Sequence, residues 1–227
     1  MLCYYCACNK IVTRQTDKAA EYLRYLEQEM AHLAPFFAGR TVTQLHWGGG
    51  TPTYLKPDEI RQLMAMLRRY FQFADEGEIS IEVDPREIDL SLLDVLKEVG
   101  FNRLSLGVQD FDKSVQVAVN RVQDNDFIRA LLLRAKELGF RSTNLDLIYG
   151  LPGQQPEDVA DDVRLCARLG LDGLDLYSLS LIPGTPLLSA VEKGKMLPAD
   201  ATRLGTFFAA GEDAALVVDQ ECLGVGG

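Results

Sequence analysis

Positive charge is scarce in this chain. Lys and Arg number 23 against 33 Asp and Glu, for a formal net charge of −10. A polyanion such as duplex DNA is therefore excluded as a general partner, because phosphate binding needs clustered Lys and Arg. Long apolar runs are also lacking, and none approaches the ~20 residues of a membrane span. The N-terminus, MLCYYCACNK, has no basic stretch leading into a long apolar one, so it does not read as a secretion signal. A cytoplasmic setting is the expectation. Histidine is limited to His32 and His46. His32 falls on helical spacing and reads as structural. His46 precedes a glycine run and is expected to point inward, without the company that a metal ligand needs. Low-complexity linkers are missing too.

What remains is the composition of a globular protein: 227 residues, 47% hydrophobic and 25% charged. That length suits one domain with a sizeable core. The five cysteines are Cys3, Cys6, Cys8, Cys166 and Cys222, and three of them lie within six residues. A disulfide framework would spread an even number through a small secreted chain. Close packing near one end points instead to a metal or iron–sulfur centre in a reducing compartment, or to ordinary thiols at a terminus. Cys166 sits at helical spacing and reads as buried packing; Cys222 carries no functional signal.

Strand-like and helix-like segments alternate along the chain. Residues 18–37 form an amphipathic helix limited by Pro35, and 41–47 (TVTQLHW) a strand running into Gly48, Gly49 and Gly50. Helix is expected over 57–73, 89–99, 125–138 and 156–169, the last three stopping at Gly100, Gly139 and Gly170. Strands are expected over 78–83, 101–107, 143–149 and 174–181. Five strands with helices between them predict a parallel sheet. Polar residues inside the strands (His46, Glu82, Ser105, Asp146, Ser180) favour a partial (β/α) barrel of TIM type, with one face lining a polar interior. Functional groups then sit at the C-terminal strand ends. Beyond about Asp200 the pattern weakens, with one more helix expected over 206–218 and an unstructured glycine-rich tail.

Three groups of residues carry chemistry. Cys3-Tyr4-Tyr5-Cys6-Ala7-Cys8 offers thiols on one short segment. A [4Fe–4S] cluster held by three thiolates leaves one iron open to another ligand. Gly48, Gly49 and Gly50 let backbone approach a ligand closely, or simply make a tight strand-to-helix turn. No Gly-Lys-Ser/Thr follows, so this is not a nucleotide-phosphate loop. Glu82, Gln109 and Asp146 fall at strand ends, with Arg121 a little downstream. Carboxylates there suit ribose hydroxyls or an ammonium group, and Arg121 a carboxylate; each is otherwise a polar residue at a barrel rim.

These residues resemble the radical S-adenosylmethionine superfamily and, more narrowly, the oxygen-independent coproporphyrinogen III oxidases. The segments that carry the resemblance are CYYCACNKIVTRQ, QLHWGGGTPTYL, EISIEVDPRE, GFNRLSLGVQDF, VNRVQD and STNLDLIYGLP, over roughly residues 1–156. The resemblance implies a partial (β/α) barrel and two cofactors, a [4Fe–4S] cluster and S-adenosylmethionine. It implies Cys3 and Cys6 as cluster ligands, with Cys8 the additional cysteine that follows them. Tyr5 falls where an aromatic packs near the adenine. Gly49, Gly50 and Thr51 match the segment that holds the methionine amino group. Glu82, Gln109, Arg121, Asp146 and Ser180 match further contacts. The implied reaction starts with reductive cleavage of the sulfonium to a 5′-deoxyadenosyl radical. Hydrogen abstraction from propionate side chains of coproporphyrinogen III and loss of carbon dioxide then leave vinyl groups. An electron donor and an acceptor are implied without being identified.

The resemblance has two departures. A Tyr-x-His-x-Pro-Phe-Cys segment that carries the family's first strand and first cluster cysteine is not in this sequence. An exposed sheet edge and a weakened cluster site are the expectation, unless Cys8 substitutes. Beyond residue 155 the sequence is closer to haem-chaperone-like proteins and to radical enzymes of haem utilisation. The chain is accordingly expected to be a fragment, with residues 1–200 as the barrel core and 201–227 as the start of a C-terminal region. A haem-utilisation methyltransferase or ring-opening enzyme, and a haem-binding chaperone, are the alternative functions.

Overall fold

The computed structural model describes residues 2–8 and 17–222. The NKIVTRQ segment and the glycine-rich tail lie outside the described residues. Five strands form one sheet in the order β1 (Thr41–Trp47), β2 (Gln72–Val83), β3 (Arg103–Gln109), β4 (Ser142–Tyr149) and β5 (Gly173–Ser178). Every neighbouring pair is parallel. The sheet curls into a half-barrel, as its polar strands predict. Sequential parallel strands need crossovers, and the main helices supply them: α1 (Asp17–Leu33) leads into β1, then α2 (Pro57–Tyr70), α3 (Ser91–Val99), α5 (Asn125–Glu137) and α6 (Pro156–Arg168) follow.

Strand alternation separates two faces. Ile79, Ile81 and Val83 of β2, Leu104, Leu106 and Val108 of β3, and Leu145 and Leu147 of β4 are buried in the main core. Helical residues Ile60, Leu93, Leu96, Ile128 and Leu131 belong to the same core. Each such fully buried side chain contributes about 1.5–3 kcal/mol of transfer free energy. The intervening strand residues, Ser80, Glu82, Ser105, Asn144 and Asp146, are only partly covered and line the other face. The residues that fold the sheet therefore leave the polar residues in one row.

Helix ends follow local chemistry. The Asp124 carboxylate caps α5 by accepting from Asp126 N and Phe127 N. Gly100 takes φ +104 after α3, a left-handed stop that a side chain would strain.

Several boundaries differ from the sequence-based expectation. α2 ends at Tyr70, and Phe71–Phe73 leave the helix because β2 starts early, at Gln72. A register shift between Val42 and Gln44 accommodates the extra length. The first helix ends at Leu33 and tightens into a 3-10 turn over Ala34–Phe37, where Pro35 sits. β5 stops at Ser178, so Ser180 lies past the strand rather than on it. Two short helices were not foreseen: α4 (Lys113–Ala118) and α7 (Pro186–Glu192). The last helix, α8 (Ala201–Cys222), is longer than expected. It packs on α6 and buries Phe207 and Ala214. A Cβ at Gly211 would lie 2.8 Å from Leu176 Cδ2 and 3.4 Å from Val159 Cγ1, so glycine gives α8 room for close packing there.

Candidate functional site

The C-terminal ends of the strands converge on Glu82. Register pairs His46 with Ser80 and Trp47 with Ile81, which brings the glycine run after β1 alongside Glu82. Glu82 Oε2 accepts from Gly49 N at 3.1 Å. Its Oε1 lies 3.2 Å from His46 Nε2, and His46 Nδ1 lies 2.8 Å from Ser80 Oγ. The three glycines have different roles. A Cβ at Gly48 would fall 2.5 Å from His46 Nε2 and 2.7 Å from Glu82 Oε1, so its hydrogen lets those side chains meet. Gly49 takes φ +97, and a Cβ there would meet nothing within 4 Å, which leaves open space beside the carboxylate. Gly50 O accepts from Thr51 Oγ1 at 2.8 Å, and a 3-10 turn over Pro52–Tyr54 follows.

Asp146, two strands away, accepts from Ser105 Oγ at 3.0 and 3.1 Å. Burial, with the charges of Asp175 and Glu82, pushes its pKa up to about 6, against the Ser105 hydrogen bond. Asp175 pairs in register with Asp146 on exposed β5. The sequence reading passed over Asp175, although its alternation with Tyr177 on β5 was available as a signal.

Gln109 ends β3 at φ +75, an unusual conformation for a residue with a side chain. Its Nε2 folds back toward Gly107, where a Cβ would stand 2.8 Å away. Arg121 is buried beneath it. Its guanidinium donates to Gly107 O, to Asp84 Oδ2 at 3.3 Å and to Cys3 Sγ at 3.4 Å. Arg86 also pairs with Asp84, at 2.6 Å. Burial opposes ionisation of Asp84, but the Arg86 hydrogen bonds and the Arg121 charge outweigh it and hold this carboxyl below its usual range. Arg121 thus ties the cysteine segment and Asp84 to the end of β3.

The cysteine segment is docked against these groups. Tyr4 N donates to Val119 O at 3.0 Å, Leu187 N to Tyr4 O at 2.9 Å, and Asn120 Nδ2 to Leu2 O at 2.8 Å. Cys6 N donates to Cys3 O at 3.3 Å, closing a turn that carries both thiols. Cys3 is buried, Cys6 intermediate and Cys8 exposed. Burial pushes the Tyr5 phenol well above its usual pKa, although the Arg121 charge opposes this. Ser180 is exposed, two residues past the end of β5.

The two cofactors fare differently against this geometry. A sulfonium and ammonium cation with a ribose diol calls for carboxylates and amides beside open backbone. Glu82, Asp146 and Gln109 at the strand ends, with the open space at Gly49, fit that description. Among the described residues, no three His, Cys, Asp or Glu side chains come together as ligands for a metal ion. Cys3 and Cys6 thus give two thiols on one turn without completing a three-thiolate set.

Comparison with known proteins agrees with the fold. The Radical SAM superfamily profile matches residues 1–166. The oxygen-independent coproporphyrinogen III oxidase of Escherichia coli (strain K12) is 60% identical over 182 residues, covering 80% of this chain and 40% of that protein. The enzyme of the same name from Pseudomonas aeruginosa is 45% identical over 185 residues, with the same coverage of 80% and 40%. The chain therefore spans about 40% of the length of these curated relatives. A solved structure of coproporphyrinogen III oxidase from Escherichia coli, described as a radical SAM enzyme, superposes with a TM-score of 0.85. That match has 51% identity and covers 96% of this chain and 50% of that one. A radical S-adenosylmethionine methyltransferase from Kitasatospora setae, at 19% identity, 75% coverage of this chain and 34% of its own, shares the fold with a TM-score of 0.58. From the profile match and the half-barrel together, this chain belongs to the Radical SAM superfamily.

Proposed function

We propose that this chain forms the S-adenosylmethionine-binding half-barrel of an oxygen-independent coproporphyrinogen III oxidase. The observation that carries the reading is the cradle at the β1 and β2 tips, where Glu82 accepts from Gly49 N beside open space. The 60% identity to a named oxidase supports the choice of reaction.

Bound S-adenosylmethionine supplies one-electron chemistry able to remove a hydrogen atom from an unactivated carbon. The protein's residues bind and orient. Glu82 takes the methionine ammonium, with Gly49, Gly50 and Thr51 lining its backbone side. Asp146, held by Ser105, accepts from the ribose hydroxyls, and Gln109 closes the same rim. Tyr5, on the docked cysteine segment, packs at the adenine end, and Ser180 borders it beyond β5. Arg121, held by Cys3, Asp84 and Gly107, presents its positive charge to the ligand carboxylate. Cys3 and Cys6 are proposed as thiolate ligands of a [4Fe–4S] cluster, with Cys8 required to turn inward to join them. Two propionates, taken in turn, would each lose carbon dioxide, a hydrogen atom and one electron to become vinyl groups. An external reductant and an electron acceptor complete the balance.

The test is anaerobic incubation of the iron–sulfur-reconstituted chain with coproporphyrinogen III, S-adenosylmethionine and a reductant. Mass spectrometry is expected to show loss of carbon dioxide and hydrogen from the propionates. Tight haem binding with no decarboxylation would overturn the reading in favour of a haem carrier. A methylated or ring-opened tetrapyrrole would overturn it in favour of a haem-utilisation enzyme.

A further inference from the structure

His46 has no role in ligand binding so far, yet its ring is the one side chain hydrogen-bonded to Glu82 among the described residues. Trp47, next to it, turns outward and packs edge-on against Phe101 with ring centroids 4.9 Å apart. Alternation along β1 therefore sends His46 to the concave face. A partly exposed glutamate loses substantial rotamer freedom when it is fixed. Glu82 is fixed at both oxygens: Oε2 by Gly49 N at 3.1 Å and Oε1 by His46 Nε2 at 3.2 Å.

The ring's own hydrogen bonds define which nitrogen carries the proton. An ionised carboxylate only accepts, so a neutral ring facing Glu82 must present Nε2–H. Nδ1 is then an acceptor, and its neighbour Ser80 Oγ, at 2.8 Å, is able to donate to it. The Ser80 hydroxyl has one competing acceptor, Leu45 O, at the longer distance of 3.3 Å. With Nε2–H facing the carboxylate, Nδ1 has no proton to donate, so the Ser80 hydroxyl turns to it in place of Leu45 O. Gly48 completes the arrangement, since a Cβ there would intrude within 2.7 Å of Glu82 Oε1 and still closer on the ring. Residues 46–49 thus act as one device with Ser80 and Glu82.

We propose that His46, in the Nε2–H tautomer set by Ser80, is a positioning residue that orients the Glu82 carboxylate toward a cationic ligand. The ligand side of the proposal rests on the S-adenosylmethionine reading; the tautomer does not. Two measurements on the full chain test it. Long-range nitrogen–proton NMR of the ligand-free protein at alkaline pH is expected to report Nε2–H for His46. An Nδ1–H ring overturns the proposal whether or not any ligand binds. Equilibrium dialysis with S-adenosylmethionine then compares variants whose Trp47 emission confirms folding. His46→Gln places an amide donor near the Nε2 position and is expected to bind nearly as the wild type does. His46→Asn places it near Nδ1 and is expected to bind about five- to tenfold more weakly, in line with loss of one hydrogen bond to a charged group. Wild-type binding with no effect of His46→Asn overturns the inference alone. Wild-type protein that binds no S-adenosylmethionine overturns the functional reading, and the role toward that ligand with it.

Discussion

Arg121 Nη1 lies 3.4 Å from Cys3 Sγ and joins the cysteine segment to the end of β3. The same guanidinium holds Asp84 Oδ2 and Gly107 O. The side-chain exposures of Arg121 and Asp84 are 7% and 16%, so these contacts are largely sheltered from water. One buried arginine therefore ties a thiol to a strand end.

Arg121→Ala should release that loop. Arg86 still neutralises Asp84, so the cost is expected at the low end for a broken buried pair, about 3 kcal/mol. Urea unfolding measures the stability, and alkylation of Cys3 measures the docking. Cys3 is expected to react about tenfold faster in the variant, because a loop held by fewer contacts opens more often. Unchanged alkylation would show that backbone contacts alone dock the loop.

Stability should fall as pH rises toward the alkaline side of neutral. Burial pushes Asp110 up to about 7, Asp162 to about 8 and Asp146 to about 6. The like charge of Asp110 adds to the shift of Asp162. Each carboxyl keeps its proton more tightly folded than unfolded. The benefit is complete below about pH 4 and is lost as pH rises through the folded values. Asp84 acts with the opposite sign, because its lowered pKa contributes stability that is lost only in strong acid. Thermal unfolding across this range should show the decline. Asp162→Asn keeps an acceptor for Phe111 N and removes the charge. It should stabilise the protein by about 1–3 kcal/mol at pH 8 and flatten the profile.

Gly48→Ala and Gly49→Ala should separate in their effects. At Gly48 the new Cβ meets His46 and Glu82, which are side chains at the exposed rim. Ligand binding is expected to suffer while stability changes by less than about 1 kcal/mol. At Gly49 the Cβ meets nothing, but φ +97 strains any side-chain-bearing residue. Here a stability loss of about 1–2 kcal/mol is expected from the backbone alone. Denaturation and ligand titration of both variants read the difference.

Phe101→Ala should unfold more easily by about 3–5 kcal/mol, as for other large-to-small changes in a packed core. Phe101 is 1% exposed and meets Trp47, the chain's single tryptophan. Trp47 emission should therefore move to longer wavelength in the folded variant. An unshifted spectrum would place Trp47 away from Phe101.

The legible part of this fold is the part governed by local period. The strand residues of β1 and β4 and the glycine stops after α3, α5 and α6 followed from alternation and φ preference. The five-strand parallel order followed from the repeating strand–helix pattern. The early start of β2 was hidden, because Gln72 and Phe73 continue an apparent helix and are separated from the rest of the strand by a register shift. α4 and α7 are too short to show a helical period. At the site, Glu82, Asp146 and the glycines were visible as polar and small residues at strand ends. The roles of His46 and Gly48 were not, because they depend on Ser80 and Glu82 arriving from another strand. Arg121 was visible as a residue, but its partners lie far away in sequence.

The most direct test of the account is titration of S-adenosylmethionine against the iron–sulfur-reconstituted chain and its Glu82→Gln variant. An amide at position 82 must turn an N–H toward either Gly49 N or His46 Nε2, and it has no charge to offer a cation. The account predicts saturable binding to the wild type and at least about tenfold weaker binding to the variant. Equal affinity in the two proteins, or no binding to the wild type, would contradict it.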